Sequence, residues 1–322
     1  MAAPLKAMLA IVGLVLAAAA AQAQTFPSKP VRIVVAYPAG GSADNISRAV
    51  TPRLSAIWGQ PVVIENKAGG ATGIAADLVA KSGADGYTLL ATGMETFAIN
   101  PSMLAKLSYN VSEFTPVSGY GLSNQILVVP QASAFKTLAD VIAHARAKPG
   151  ELNYATIGLG GSSHINMVLF ESMTGLKLTP VHYRGGAPAT ADLRGHVPLS
   201  FLSSQLVDPG IRSGHIRPIA VGSKARLARH PDVPTVAESG VPGFEAVSWF
   251  GVWAPADTPR DVVAKINADI QKVFADADFR EKFLDRAMLD PIAGSPEQFA
   301  EFIKAEATKW SKVVKDANLK IE

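Results

Sequence analysis

Short, apolar, β-branched runs alternate with amphipathic stretches along this chain, and few folds accommodate that rhythm. The first run, Val31 to Ala36, is too short for a helix and largely apolar, as a strand covered on both faces should be. Pro38, Gly40 and Gly41 then break the pattern. A helix follows, with Ser42 and Asp44 as candidate caps and Ile46, Val50, Leu54 and Trp58 spaced by four along one face. Pro52 inside it predicts a kink, because proline removes a backbone donor and crowds the preceding turn. The same order returns as strand 61–64, a loop holding Gly69, Gly70 and Gly73, helix 74–82 and strand 87–91. Strand and helix alternating at this spacing predict a parallel sheet with right-handed crossovers.

A second series starts at Ile126 and continues as helix 138–147, strand 152–157, helix 163–173 and strand 178–182, with further strands at 198–201 and 216–221. Thr137 and Asp140 are spaced for a capping box on the first of these helices. An aromatic strand, 246–254, leads into two amphipathic helices that need a sheet to cover. The 322 residues exceed what one compact core usually holds. The expected fold class is therefore α/β with two lobes, each a mostly parallel sheet flanked by helices. Residues 24–125 plus 248–322 form lobe 1 and residues 126–247 form lobe 2, so two crossing segments make a hinge beside a cleft.

At the N-terminus, Lys6 precedes an apolar run from Met8 to Ala21 that ends in Ala21-Gln22-Ala23. This reads as a signal peptide cut before Gln24, the alternatives being a membrane anchor, for which the run is short, or a buried helix. Cleavage removes Lys6 and takes the formal charge from +3 to +2. No basic cluster interleaved with aromatics accompanies that charge, so nucleic acid is not an expected partner. The chain has no cysteine, which excludes disulfides, thiolate metal ligands and a cysteine nucleophile together. Export without disulfides suits a bacterial periplasmic protein whose core is large enough to stand unstapled.

Catalytic signatures are missing. There is no G-x-S-x-G, no H-E-x-x-H, no phosphate-binding G-x-x-x-x-G-K-[ST] and no complete G-x-G-x-x-G, the nearest approach being Gly158 to Ser163. None of the six histidines forms an i, i+4 pair, so no metal and no cofactor is expected. What remains is a set of glycine- and hydroxyl-rich turns: 38–44, 69–73, 93–96, 158–164 and 183–187. Each alone could be structural. In a parallel sheet, however, all five lie at the carboxyl ends of strands, where free backbone donors and helix N-termini form an anion site without lysine or arginine. A helix N-terminus offers an anion about 0.3 to 1 kcal/mol, and a hydrogen bond to a charged group about 1.5 to 3 kcal/mol. Four or five such contacts, less ordering costs, reach the roughly 8 kcal/mol of micromolar binding.

The chain resembles the solute receptors of tripartite tricarboxylate transporters, also called the Bug family. The resemblance rests on Pro38-Ala39-Gly40-Gly41-Ser42-Ala43-Asp44, Gly59-Gln60-Pro61-Val62-Val63, Glu65-Asn66-Lys67, Asp85-Gly86-Tyr87-Thr88-Leu89, Asn100-Pro101 and Pro149-Gly150. It continues through His182-Tyr183-Arg184-Gly185, Pro231-Asp232-Val233-Pro234-Thr235 and Trp249-Phe250-Gly251, and so covers the whole mature chain. It implies a two-lobed periplasmic binding protein of the Venus-flytrap, type II-like kind, holding a small organic carboxylate between its lobes and delivering it to membrane permease subunits. Carried over by position, lobe 1 would contact the ligand through Ala39, Gly40, Ser42, Asp44, Thr72, Met94, Glu95 and Thr96. Lobe 2 would use Gly161, Ser162, Ser163, His164, Tyr183 and Arg184. Two departures stand out. Lys67-Ala68 replaces a common Arg-Pro, and Glu95 replaces a small or hydroxylated residue.

Glu95 reads either as a solvated loop carboxylate or as a group facing the ligand. In the second case it disfavours a dicarboxylate filling the cleft and favours an amino acid, a pyridine carboxylate or a hydroxylated aromatic acid; alternatively it is protonated, as burial would favour, and donates a hydrogen bond. The expected protein is a monomeric, non-catalytic receptor. The alternatives are a periplasmic hydrolase using Ser163 and His164, whose adjacent side chains diverge at a helix start, and a sensory receptor docking on a signalling partner.

Overall fold

The computed structural model describes residues 26–193 and 195–321, so the segment read as a signal peptide lies outside the described residues. The first half begins with β1 (Val31–Val35), α1 (Ser42–Trp58), β2 (Val62–Asn66), α2 (Gly73–Ala80) and β3 (Thr88–Gly93). A single π-helical turn, Glu95–Ile99, runs directly into α3 (Asn100–Met103). Next comes β4 (Phe114–Pro130), followed by α4 (Leu138–Ala147), β5 (Asn153–Thr156), α5 (Ser162–Thr174) and β6 (Thr179–His182). Then follow α6 (Gly186–Asp192), β7 (Ser200–Ser203), α7 (Ser204–Arg212) and β8 (Ile216–Val221). The chain ends with β9 (Val247–Pro255), α8 (Arg260–Ala275), short helical turns over 277–287, β10 (Leu289–Asp290) and α9 (Pro296–Asp316).

The strand order is β2-β1-β3-β9-β4-β7-β5-β6, with β8 and β10 also on β4. The outer strands pair in parallel, β1 with β2 and β3, and β5 with β6 and β7, as the alternating pattern requires. The centre differs from the expected mostly parallel sheets. Strand β9 runs antiparallel to both β3 and β4, so the sheet is mixed. Strand β4 is also twelve residues longer at its start than the sequence suggested, because Pro116, Gly119 and Gly121 disguise its first part. Register shifts at 116–118 and 119–121 absorb those residues.

Along β4 the partner changes. Residues Phe114 to Asn124 pair with β9, whereas Gln125 onward pairs with β7 and β8. The returning chain meets it at that point, for the Gly222 N–H donates to the Gln125 carbonyl at 2.8 Å and the Ala246 N–H to the Gly222 carbonyl at 2.9 Å. A Cβ on Gly222 would lie 2.3 Å from the Ala246 carbonyl oxygen, so only glycine fits there.

Helix α1 runs through Pro52 to Trp58 and buries Ile46, Val50, Leu54 and Trp58 against β1 and α8, as their spacing predicts. Burying four such side chains contributes about 1.5 to 3 kcal/mol each relative to exposure. Its cap differs from expectation: Gly41 is the N-cap residue and neither Ser42 nor Asp44 caps it through its side chain. The predicted box on α4 is present, with the Asp140 N–H donating to Thr137 Oγ1 at 3.2 Å and the Thr137 N–H to Asp140 at 2.9 Å. The C-terminal helix α9 buries Trp310, whose indole N–H and that of Trp249 on β9 both donate to Glu306, at 2.8 and 2.9 Å. Helix α9 packs on the Glu95–Ile99 turn, β4 and α5, and one continuous hydrophobic cluster spans both halves of the sheet.

Candidate functional site

The turns after β1 and β3 leave one half of the sheet, and those after β5, β6 and β7 leave the other. The structure brings these two edges into contact. Glu95, directly after β3, accepts a hydrogen bond at 3.2 Å from the backbone N–H of Ser162, the first residue of α5. Its other oxygen accepts from the Tyr37 hydroxyl at 2.5 Å. Burial raises the Glu95 pKa, while the Tyr37 and Ser162 donors pull it back. Burial first, and the neighbouring carboxylate second, raise the Tyr37 phenol well above its usual range, so Tyr37 is the donor in this pair. Tyr37 was not among the expected residues, although its place at the carboxyl end of a central strand was the available signal. Gly93 makes room for it, since a Cβ there would lie 3.0 Å from the Tyr37 oxygen and 2.7 Å from the Trp249 carbonyl.

The remaining lobe-1 candidates divide into surface and support. Ala39 and Gly40 are exposed, and Ser42 is partly so at the open start of α1. Asp44 is 1% exposed and turned inward. It accepts from the Gly40 N–H, Arg48 and Asn66, each at 2.9 Å, and so shapes the turn instead of reaching outward. The Arg48, Gly40 and Asn66 donors outweigh burial, the largest single influence, and hold its carboxyl below the ordinary aspartate value. Met94 is wholly buried in the core, and Thr96 lies beneath the surface. Thr96 bonds to Thr72 at 2.7 Å and to Thr92 at 2.5 Å, while the Tyr109 hydroxyl donates to its carbonyl at 2.6 Å. Burial pushes the Tyr109 phenol up to about 12. This network clamps the backbone that presents Glu95.

On the lobe-2 side, Gly161 is the N-cap residue of α5, and its helix bears no side-chain cap. Ser163, 1% exposed, accepts the Ile157 N–H at 2.8 Å. His164, 4% exposed, accepts the Gly160 N–H on Nδ1 at 3.1 Å, which puts its own proton on Nε2. Burial, and secondarily His182 with ring centroids 5.0 Å away, lower the His164 pKa to about 4. Ser163 and His164 therefore serve the 157–164 turn, each bound to a different backbone N–H. Tyr183 is half-buried and Arg184 exposed beside the same turn. Gly160, at φ +73°, touches Met103 of α3, for a Cβ there would fall 2.3 Å from the Met103 methyl carbon.

Sequence reading also missed Ser203, Ser204 and Gln205 at the β7–α7 junction. Their hydroxyls and amide nitrogen are buried with no hydrogen-bond partner, on the same edge as the β5 turn. Next to Gln205, a cavity of about 390 Å³ runs between α1 and α7, bordered by Arg48, Arg212, Lys282 and Arg286 against Asp208. A second cavity of about 420 Å³, between α2 and the 104–109 loop, lies on one half alone. Among the described residues no cluster of histidine and carboxylate side chains is placed to hold a metal, and no helix is long and apolar enough to cross a membrane.

Known proteins share this fold. The model of a family described as "Tripartite tricarboxylate transporter family receptor" matches residues 46–319. Protein BugT of Bordetella pertussis is 34% identical over 98% of each chain. The solved structure of R. palustris Rpa4515 with adipate superposes with a TM-score of 0.85 at 36% identity, covering 91% of this chain and 98% of the other. MatC from Rhodopseudomonas palustris with bound malate gives 0.81 at 29% identity, covering 90% and 100%. The protein has the two-lobed fold of the periplasmic binding proteins, and with residues 46–319 matched it belongs to the tripartite tricarboxylate transporter receptor family.

Proposed function

We propose that this receptor is exported to the periplasm, captures a small organic carboxylate between lobe 1 (residues 24–125 plus 248–322) and lobe 2 (126–247), and hands it to the permease subunits of a membrane transporter without chemical turnover. The observation that carries this reading is the contact between Glu95 and the Ser162 N–H: a carboxylate from one half is seated on a helix N-terminus of the other. The first N–H groups of a helix have no partner inside it and favour negative charge, so an acid fits between these edges without a dedicated cation. The exposed Ala39, Gly40 and Ser42 turn, Tyr183 and Arg184 complete the proposed binding surface, with Thr72, Thr96 and His164 fixing its backbone. Adipate and malate in two relatives point to the same ligand class. A hydrolase centred on Ser163 and His164 is disfavoured, because both side chains are committed to backbone donors of their own loop.

A thermal-shift screen of small organic acids tests the proposal. A ligand that binds only the native state raises its melting temperature, and a bound acid should be recovered unchanged. A flat response across mono- and dicarboxylates, or turnover abolished by Ser163→Ala, overturns it.

A further inference from the structure

We infer that Glu95 is a tethered occupant of one of two carboxylate positions in the cleft, so that the receptor selects acids with a single carboxylate and a neutral or cationic far end. This rests on the carboxylate-receptor reading above. Two helix N-termini, those of α1 and α5, flank the proposed cleft, and they are in different states. The start of α1 is open, for its cap residue Gly41 brings no side-chain acceptor and the preceding Pro38, Ala39 and Gly40 are exposed. The start of α5 is taken, because Glu95 Oε1 accepts the Ser162 N–H at 3.2 Å. Nothing in the sequence of α5 caps it from within its own turn; the acceptor comes from the opposite half, 67 residues away.

The seat is built for that side chain. Tyr37 donates to Oε2, and Gly93 leaves the space that Tyr37 needs. Thr72, Thr92, Thr96 and Tyr109 pin the backbone on which Glu95 rides. Both carboxyl oxygens accept, a pattern the ionised form satisfies, and the Tyr37 and Ser162 donors that make it oppose the rise that burial gives the Glu95 pKa. Among the described residues no lysine or arginine lies within 4.0 Å of Glu95 to neutralise it. A solute carboxylate arriving at this end of the cleft would therefore meet both an occupied donor and a like charge. A hydroxyl or ammonium group would instead find an acceptor. The open α1 turn and the exposed Arg184 remain for the solute's one carboxylate.

The test titrates the full chain, Glu95→Gln and Glu95→Ala by calorimetry at neutral pH with acids of equal length. One triplet is adipate, ε-hydroxycaproate and ε-aminocaproate, with shorter and longer triplets of the same design. The wild type is expected to bind the hydroxy or amino acid at least about tenfold more tightly than the matching dicarboxylate, about 1.4 kcal/mol. Both variants should lose that preference, chiefly by gaining dicarboxylate affinity. Tyr37→Phe, which keeps the charge but frees one oxygen, should weaken the preference without reversing it. Melting curves establish that each protein is folded, and Glu95→Gln, close in shape to the native residue, serves if Glu95→Ala does not fold. A wild type that prefers dicarboxylates, or a preference unchanged in folded Glu95 variants, overturns this inference and leaves the receptor reading standing. Silence of all proteins toward every triplet overturns both.

Discussion

Acidification should loosen the 157–164 turn through His164, and the size of the effect follows from its geometry. The ring is 4% exposed, and Nδ1 is the acceptor for the Gly160 N–H at 3.1 Å. Protonating Nδ1 turns an acceptor into a donor facing a donor, and it places a charge in an apolar setting 5.0 Å from the His182 ring. Burial chiefly, with His182 adding to it, brings the pKa from 6.5 to about 4. In that interval the unfolded chain holds the extra proton and the folded chain does not, so stability rises with pH. The contribution is complete above about 6.5 and is lost as pH falls toward about 4; at 1.36 kcal/mol per pH unit it amounts to about 3 kcal/mol. His164→Asn supplies an amide oxygen near the Nδ1 position and keeps the Gly160 acceptor without a titrating group. Urea unfolding followed by tryptophan fluorescence, at neutral pH and at about pH 4.5, compares the two proteins. Other groups titrate in both: Glu95, with its raised pKa, works in the opposite sense, its contribution being lost as pH rises. The difference between the proteins isolates position 164. Wild type should lose roughly 2 to 3 kcal/mol more than the variant across this window. Parallel losses in the two proteins would refute the assignment of a neutral, Nδ1-accepting histidine.

Gly160→Ala should destabilise the fold by about 2 to 4 kcal/mol, combining a left-handed backbone penalty with overpacking. The added carbon would fall 2.3 Å from Met103, so Met103→Ala in the same chain should recover part of the loss in a denaturation series, whereas equal loss with and without the second change would rule out that contact. Glu306→Ala leaves the indole N–H groups of Trp249 and Trp310 without their shared acceptor, and the urea midpoint should fall by the equivalent of about 2 to 4 kcal/mol. An unchanged midpoint would mean that water or another acceptor replaces it.

Much of the fold was legible because burial writes itself into spacing. Ile46, Val50, Leu54 and Trp58 face the core as their interval of four requires, and the Thr137–Asp140 capping box formed as read. The long central strand was not legible. Its first part, Phe114 to Gln125, carries one proline and two glycines, and its pairing with β9 lies more than a hundred residues away in sequence. Strand signals come from local alternation, whereas this strand is specified by its partners, β10 among them: a Cβ on Gly121 would lie 3.0 Å from the carbonyl oxygen of Asp290 in β10, an approach that only the folded chain reveals. The site shows the same division. Glycine and hydroxyl turns marked the two edges, but which side chains point out was hidden. Asp44 turned inward to bind its own turn and Thr96 to bind Thr72 and Thr92, while Tyr37 and Ser203 were overlooked because each falls just past the end of a strand read from its apolar residues.

In the proposed site, those inward-turned residues would let backbone donors recognise an acid. Backbone N–H groups recognise a carboxylate only where the backbone is fixed, since an unconstrained turn would give back the gain as conformational entropy. Asp44 fixes the α1 turn through three donors, and Thr72, Thr92 and Thr96 fix the Glu95 turn through hydroxyls. Ser163 and His164 fix the α5 turn through the Ile157 and Gly160 N–H groups. Each support is buried and each is neutral or internally compensated, so none adds a field that would favour one ligand charge over another. Glu95 is the exception, an uncompensated carboxylate between the two edges. In the proposed cleft, where the open α1 turn and the exposed Arg184 are left for one carboxylate, the charge of Glu95 would set what the far end of the ligand can be.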